Sequence, residues 1–261
     1  MKIAVFGAAG WTGRAVLENL AGKHDVYAVD HNAETWNTWR DIDGDWNGGP
    51  IINCDIVDYH AVSKTVQDMD AVIHLTVYFP GTDHAKACVD HNPFLINAKG
   101  LWNVLDASHR QGVKRIVHVG SCGVAHPDGC FFESDIRRPD YSLYAVTKRL
   151  QEEMCRQHHE GLGQSIIVLR PCYIVDSRLG IGRYREKLGP DDTHAAPGWV
   201  CRHDLAEACR LAAEIGAVQF DILHVTGMPE DEKTCNVARG RKVLGLTYRA
   251  DLEQYRQSPS T

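Results

Sequence analysis

A tyrosine and a lysine stand four residues apart in the chain, at Tyr144 and Lys148. That spacing is about one helical turn, so both side chains would project from the same face of a helix. A tyrosine with its ordinary pKa of about 10 is a weak general base at neutral pH, but a nearby ammonium group stabilises its phenolate form. The pair therefore indicates proton exchange with a substrate, with Tyr144 as general base and Lys148 as its electrostatic partner.

Ser121 follows an apolar run, at the point where a predicted strand ends. Open α/β sheets bind their ligands at the carboxyl ends of their strands. The Ser121 hydroxyl could there hold a substrate oxygen while Tyr144 exchanges the proton. We therefore predict that Ser121, Tyr144 and Lys148 are the catalytic residues, and that Ser121 and Tyr144 also contact the substrate.

A glycine-rich turn follows the first apolar run of the chain, and a helical pattern begins after it. Gly7 would allow the tight turn, Gly10 the approach of the backbone to a pyrophosphate, and Gly13 close packing of the helix on the sheet. The amino terminus of that helix would face the negative phosphates. We therefore predict a dinucleotide site to which this turn contributes Gly7, Gly10, Trp11, Thr12 and Gly13.

An aspartate, Asp30, closes the second apolar run. Its carboxylate can accept hydrogen bonds from the adenosine ribose hydroxyls, and it would repel a 2′-phosphate, so NAD is favoured over NADP. Asp55 and Ile56 follow the third run and Leu75 the fourth, where they would approach the adenine and the central part of the cofactor. Together with Tyr144 and Lys148, these residues complete the predicted cofactor site.

Apolar, β-branched runs alternate with helical patterns along most of the chain. The predicted strands are 2–7, 25–30, 51–55, 70–75, 114–119, 165–169 and 220–225. The predicted helices are 12–20, one capped by Asp58, 92–111, 143–158, 204–215 and 237–244. This alternation predicts an α/β fold, a doubly wound parallel sheet (Rossmann) with a small C-terminal substrate-capping segment.

The chain is interpreted as a single domain over residues 1–261. Residues 1–172 and 201–226 would form the dinucleotide-binding core. Residues 173–200 are rich in Gly, Pro, Arg and Asp, which predicts a loop region over the site. Together with residues 227–261 they would form the substrate-capping segments and the tail.

Composition narrows the class of protein. A net charge of -6 without a basic run argues against nucleic acid as a partner. No apolar stretch approaches the roughly 20 residues that span a bilayer, and no signal peptide is visible. The nine cysteines are scattered without C-x-x-C spacing, which is typical of reduced thiols and favours a cytoplasmic protein. His84, Cys88 and His91 share a helical face, but no fourth ligand is suggested, so we predict no metal.

Five motifs resemble those of one family. They are the glycine turn, the N-x-x-G-x-x-N segment 97–103, the strand 113–121 that leads to Ser121, Tyr144-x-x-x-Lys148, and Leu169-Arg170-Pro171. The chain thereby resembles an extended-type short-chain dehydrogenase/reductase of the NAD-dependent epimerase/dehydratase group. The resemblance implies NAD as cofactor, hydride transfer at a Ser-Tyr-Lys site, and a homodimer formed through the helices at 92–111 and 143–158.

Within that group, the layout is most similar to the uronate dehydrogenases, which oxidise the anomeric carbon of a free hexuronic acid to a lactone. Those enzymes hold the substrate carboxylate with an arginine of a Tyr-Arg pair, for which Arg185 is the nearest match and Arg178 a substitute. The stretch 138–140 (Arg-Pro-Asp), which precedes Tyr144, also fits the sequences of the uronate dehydrogenases. Dehydratases carry Thr-Asp or Thr-Glu beside the serine position, whereas Cys122 follows Ser121 here, so the resemblance does not support elimination of water. We predict that Cys122 contacts the substrate.

The leading hypothesis is an NAD-dependent dehydrogenase acting on a free sugar, sugar acid or polyol. Sugar-nucleotide epimerases usually carry a larger C-terminal domain than this chain has room for. Two alternatives stay open: an NAD-dependent sugar epimerase without net oxidation, and a dinucleotide-sensing regulator without turnover.

Overall fold

The computed structural model describes residues 1–79, 89–124, 141–189 and 191–257. His84 and Cys88 of the histidine–cysteine group, and the stretch 138–140, lie outside these residues. The main sheet has seven strands, which are β1 Lys2–Phe6, β2 Asp25–Asp30, β3 Ile51–Asn53, β4 Ala71–His74, β5 Arg115–Val119, β6 Ile166–Arg170 and β10 Phe220–His224. They pair in parallel in the order β10-β6-β5-β4-β1-β2-β3.

Helices connect these strands, largely where the sequence predicts them. They are α1 Trp11–Leu20, α2 Arg40–Asp43, α3 Tyr59–Val66, α4 Leu101–Arg110, α5 Leu143–Leu162, α6 Arg202–Glu214 and α7 Val237–Leu244. Asp58 caps α3 as predicted, because its carboxylate accepts from the N–H groups of His60 and Ala61. The helix predicted over 92–111 differs: its first part, Pro93–Gly100, is a π-helix, and the α-helix begins only at Leu101.

Both faces of the main sheet are buried. Along β1, the side chains of Ile3 and Val5 join one apolar core with α1 and α6, while Ala4 and Phe6 join a second with α3 and α4. A strand buried on both faces reads as a continuous apolar run, which is the pattern seen in the sequence. The predicted doubly wound parallel sheet is therefore confirmed.

The segment predicted as a loop region, 173–200, contains a second sheet. Its three strands are β7 Tyr173–Asp176, β8 Ile181–Gly182 and β9 Trp199–Cys201, in the order β8-β7-β9. A third apolar core lies beneath it and includes Trp199, Met228 and Leu252. Strands this short, set among glycines and charged residues, carry too few alternating positions for their period to be detected.

Two further observations bear on the predicted partners. In the parts of the chain that the structure describes, no helix combines the length and apolar character needed to cross a membrane. Trp102 on α4 and Leu150 on α5 leave 45% and 42% of their surfaces exposed, on the two helices through which we predict a homodimer.

Candidate active site

A cavity of about 790 Å³ opens at the carboxyl ends of the main-sheet strands. Every residue assigned from the sequence to catalysis or to the cofactor lines it. They are Gly7, Gly10, Trp11, Thr12, Gly13, Asp30, Asp55, Ile56, Leu75, Ser121, Tyr144 and Lys148. The volume lies within the range of about 300–1,000 Å³ typical of small-molecule sites.

The glycine turn forms a cradle at one side of the cavity. Gly7 has a φ of +81°, and a Cβ there would lie 2.9 Å from the Thr76 backbone nitrogen. A Cβ at Gly13 would lie 2.2 Å from the Gly7 carbonyl oxygen. At Gly10 a Cβ would keep 3.3 Å from the same oxygen, and α1 begins at the next residue. Backbone without side chains thus lines the cavity at the amino terminus of α1. A helix amino terminus favours negative charge, so this position suits a pyrophosphate.

Asp30 ends β2 with its carboxylate turned to the same cavity. One carboxylate oxygen accepts a hydrogen bond from the Ala9 N–H at 2.9 Å, and the other accepts from the His31 N–H at 2.9 Å. These bonds fix the carboxylate beside the glycine turn. The arrangement fits a ribose with free hydroxyls and opposes a 2′-phosphate.

Trp11 links the glycine turn to the second sheet. Its indole N–H donates to the Ile174 carbonyl at 3.4 Å, and the guanidinium of Arg202 lies 4.0 Å from its ring centre. Arg202 is buried and forms ion pairs with Asp43 at 2.7 Å and Asp176 at 2.6 Å. Sequence reasoning missed Arg202, since nothing in its local pattern marks an arginine that contacts three distant segments.

Ser121 and Tyr144 meet across the cavity. Ser121 follows β5, and Tyr144 lies in the first turn of α5, which the Ser142 hydroxyl caps by accepting from the Ala145 N–H. The Ser121 and Tyr144 side chains both line the cavity. Burial raises the pKa of Tyr144 above its ordinary value, while hydrogen bonding with Ser121 and the charge of Arg183 lower it. The hydroxyl of Tyr144 is therefore neutral at neutral pH in the absence of further positive charge.

Lys148 lies one helical turn beyond Tyr144 and is buried. Its Nζ donates to the Val119 carbonyl at 3.0 Å. Burial lowers the pKa of Lys148 to about 8, and the carboxylate of Glu152 opposes that shift. Glu152 in turn accepts two hydrogen bonds from the buried guanidinium of Arg170, at 2.8 and 2.5 Å. A chain of buried charges thus underlies the cavity.

Two histidines lie side by side at the ends of β4 and β5. The Nδ1 atoms of His74 and His118 are 3.1 Å apart, and both side chains are fully buried. Burial lowers the pKa of His74 to about 3 and holds that of His118 well below its ordinary value, with the charge of Lys148 adding to both shifts. Both rings are therefore neutral, and one Nδ1–H donates to the other Nδ1.

The arginines assigned to the substrate lie outside the lining of the cavity. Arg178 forms an ion pair with Glu18 at 3.1 Å, and Arg185 pairs with Asp41 at 2.7 Å. The arginine that does line the cavity is Arg183. Sequence spacing could not separate these three, because the turn after β8 decides which side chain faces inward.

Arg183 stands over the aromatic edge of the site. Its guanidinium lies 5.7 Å from the ring centre of Phe79 and 4.5 Å from that of Tyr184. The Phe79 ring packs edge-on against Tyr144 at 5.5 Å. Arg183 thus brings a positive charge to the cavity, where it lowers the pKa of Tyr144.

Cys122, also assigned to the substrate, does not line the cavity. Its buried thiol donates instead to the Arg170 carbonyl at 3.0 Å. Among the residues that the structure describes, no group of three histidine, cysteine or acidic side chains is placed to hold a metal ion.

Comparison with known proteins agrees with this geometry. The model of the NAD dependent epimerase/dehydratase family matches residues 3–228. L-arabinose 1-dehydrogenase (NAD(P)(+)) of Haloferax volcanii is 26% identical over 231 residues, 82% of this chain and 82% of the relative. Uronate dehydrogenase of Pseudomonas putida is 28% identical over 177 residues, 65% of this chain and 59% of the relative.

A solved structure shares the fold. A mutant uronate dehydrogenase from Agrobacterium tumefaciens, complexed with NAD, aligns with a TM-score of 0.73 at 19% identity, over 100% of this chain and 91% of that one. The family match confirms the resemblance drawn from the motifs and NAD as the cofactor. The glycine turn, Asp30 and the parallel sheet agree with that match. This chain belongs to the NAD dependent epimerase/dehydratase family.

Proposed function

We propose that this chain is an NAD-dependent dehydrogenase that oxidises a free sugar or sugar acid through Ser121, Tyr144 and Lys148. One observation carries the proposal: Ser121, Tyr144 and Lys148 line a single cavity with the glycine turn. A substrate hydroxyl in that cavity can reach a proton acceptor and a dinucleotide at once.

The residues that would hold NAD divide between its two halves. Gly10 and the amino terminus of α1 would bind the pyrophosphate, Asp30 the adenosine ribose, and Lys148 the nicotinamide ribose. Bound NAD supplies the acceptor for the hydride. The buried Nζ of Lys148 is held in position by the Val119 carbonyl, so its charge lies at a fixed place beneath the site.

Proton transfer is the task of Tyr144. The Ser121 hydroxyl would orient the substrate hydroxyl, and the Tyr144 phenolate would accept its proton as the hydride leaves the carbon. The phenolate must form first, against the burial that raises the pKa of Tyr144. Arg183, Lys148 and the positive charge of the oxidised cofactor would each favour it.

The substrate is proposed from the relatives and from Arg183. The two relatives are named for L-arabinose, a sugar, and for uronate, a sugar acid, and the first name places the oxidised carbon at position 1. We therefore place the reaction at the anomeric carbon. Arg183 lines the cavity and could form a charge-assisted pair with a carboxylate, which favours a sugar acid over a neutral sugar.

The test is NADH formation, followed by its near-ultraviolet absorbance, with NAD and a panel of uronic acids, aldoses and polyols. We expect NADH to accumulate with a uronic acid, and more slowly with aldoses. A flat trace together with interconversion of sugar epimers would identify an epimerase instead. A flat trace with unchanged sugars, despite NAD binding seen by calorimetry, would favour a sensor and overturn the proposal.

A further inference from the structure

Three thiols from three segments meet behind the catalytic serine. Cys122 follows Ser121 after β5, Cys172 follows β6, and Cys235 precedes α7. Burial raises the pKa of the Cys122 thiol well above its ordinary value, and the neighbouring thiols of Cys172 and Cys235 add to that shift. The Cys122 N–H also donates to the Pro171 carbonyl at 2.9 Å, so the segments after β5 and β6 run side by side.

The three thiols differ in access to solvent. Cys122 is 1% exposed, Cys235 is half-buried, and Cys172 is exposed and lines the cavity. A small oxidant that enters the cavity would therefore meet Cys172 first. The buried Cys122 is hydrogen-bonded to the backbone of Arg170 and Pro171, the two residues before Cys172, so it supplies a second thiol beside the first. A second thiol so placed can convert a mixed disulfide into an internal one.

We propose that Cys122 and Cys172 are a redox-modification site, at which a low-molecular-weight disulfide oxidises the two thiols to one internal disulfide. The Cys172 thiolate attacks the oxidant, forms a mixed disulfide and releases one small thiolate. The Cys122 thiolate then attacks the Cys172 sulfur, forms the Cys122–Cys172 bond and releases the second. The two cysteines lose two electrons, the oxidant is reduced to two small thiols, and these take up the two cysteine protons.

The bond would act on the site through Ser121. At present the Cys122 thiol is tied to the Arg170 carbonyl at 3.0 Å, and a bond to Cys172 must break that contact. Cys122 is the peptide neighbour of Ser121, which lines the cavity and lowers the pKa of Tyr144. Small displacements of a positioning group cost turnover steeply, so we expect oxidation to lower kcat by about tenfold or more.

The site is tested by treating the whole protein with oxidised glutathione, blocking the remaining thiols by alkylation and mapping the peptides by mass spectrometry. We expect the Cys122 and Cys172 peptides to be joined, with an intact-mass loss of about 2 Da for the two hydrogens. Dithiothreitol should reverse both the bond and the loss of turnover. This mapping does not require that the chain oxidise a sugar, so its failure is distinguishable from failure of the proposed function.

Two variants separate the pairing from general oxidation. In Cys235→Ser the Cys122–Cys172 link should still form, whereas in Cys172→Ser it cannot form. Treatment of Cys172→Ser with oxidised glutathione should therefore leave its turnover the same as before treatment. Three results would overturn the proposal: a Cys122–Cys235 link in the wild type, glutathione that stays on Cys172 without a second step, or thiols that stay reduced throughout.

Discussion

At the scale of single residues, our proposal that Tyr144 is the general base makes turnover depend on the surroundings of its hydroxyl. Burial favours the neutral phenol and raises its pKa, and the groups that oppose this are the Ser121 hydroxyl and the Arg183 cation. A general base must be ionised to act, so sugar oxidation should accelerate as the pH rises from neutral towards the pKa of Tyr144. The reverse reduction needs the phenol and should not accelerate over that range.

Replacement of the phenol tests its role. Tyr144→Phe should lower kcat for oxidation by about 100-fold or more, because the proton acceptor is gone while the ring that packs on Phe79 remains. The affinity for NAD, measured by calorimetry, should change little. Tyr141→Phe is the matched control: Tyr141 is 83% exposed, three residues away, and its variant should keep wild-type turnover. Near-normal turnover in Tyr144→Phe would remove Tyr144 from the mechanism.

Arg183 provides a second residue-scale prediction. Arg183→Ala should raise KM for a uronate about tenfold or more and leave KM for a neutral aldose nearly unchanged, since only the uronate loses an ion pair. The same variant removes a positive charge that lowers the pKa of Tyr144, so its pH–rate profile should shift to higher pH. Steady-state kinetics on the two sugars measures both effects.

Arg185→Ala is the matched control for that experiment. Arg185 is two residues away, exposed and paired with Asp41 at 2.7 Å, and it does not line the cavity. Its removal should change neither KM. If Arg185→Ala raised KM for the uronate and Arg183→Ala did not, the arginine expected from the Tyr-Arg pair would be the substrate-binding one after all.

At the scale of elements, Arg202 joins α6 to three other parts of the fold. It stacks on Trp11 of α1, and it pairs with Asp43 of α2 and Asp176 of β7. Arg202→Met would leave two carboxylates without their cation in a buried setting, which costs about 3 kcal/mol or more of unfolding free energy. Because Trp11 belongs to the glycine turn, the affinity for NAD should fall as well.

The comparison for that variant is Arg178→Met. Arg178 pairs with Glu18 while both side chains are about 60% exposed, and a pair so exposed contributes about 1 kcal/mol or less. Urea unfolding and NAD titration of the two variants measure the difference. Equal stability losses would contradict the account of Arg202 as the link between the second sheet and the glycine turn.

Elements with strong local signals could be predicted from the sequence, and those made by distant contacts could not. The strand that precedes Gly7 and the helix that carries Tyr144 were predicted because their patterns are local and long. The π-helix Pro93–Gly100 shares its apolar spacing with an α-helix, so the pattern cannot separate them.

The candidate site divides in the same way. Residues at strand ends, such as Asp30 and Ser121, could be predicted to lie in one cavity because a parallel sheet brings its carboxyl ends together. The inward arginine is Arg183 because of the turn after β8, and His118 meets His74 only through the pairing of β4 with β5. The inward position of Arg183 and the contact between the two histidines depend on tertiary packing. The residues next to them in the sequence carry no pattern that reveals this packing.

At the scale of the whole molecule, buried histidines should make the fold sensitive to acid. Burial lowers the pKa of His74 to about 3 and that of His224 to about 4, and it lowers that of His118 as well. In the unfolded chain a histidine takes up a proton near its ordinary pKa of about 6.5. Below that pH the unfolded state binds more protons, so stability present above it is lost progressively as the pH falls.

The size of this effect can be measured by urea unfolding at about pH 7.5 and about pH 5.5, where each buried histidine should contribute a loss of about 1 kcal/mol. His74→Gln should lose its share of the pH dependence. His31→Gln should not, since the side chain of His31 is 60% exposed. Equal stability of the wild type at the two pH values would contradict the neutral, buried state of these rings.

Hydride transfer is measured most directly by following deuterium from carbon 1 of a uronic acid or aldose to NAD. We predict that the wild-type enzyme moves the label to NADH, one deuterium for each sugar oxidised, and that Tyr144→Phe does so far more slowly. Unlabelled NADH formed from that sugar would contradict oxidation at the anomeric carbon. Label retained on an interconverted sugar would contradict a dehydrogenase and identify an epimerase.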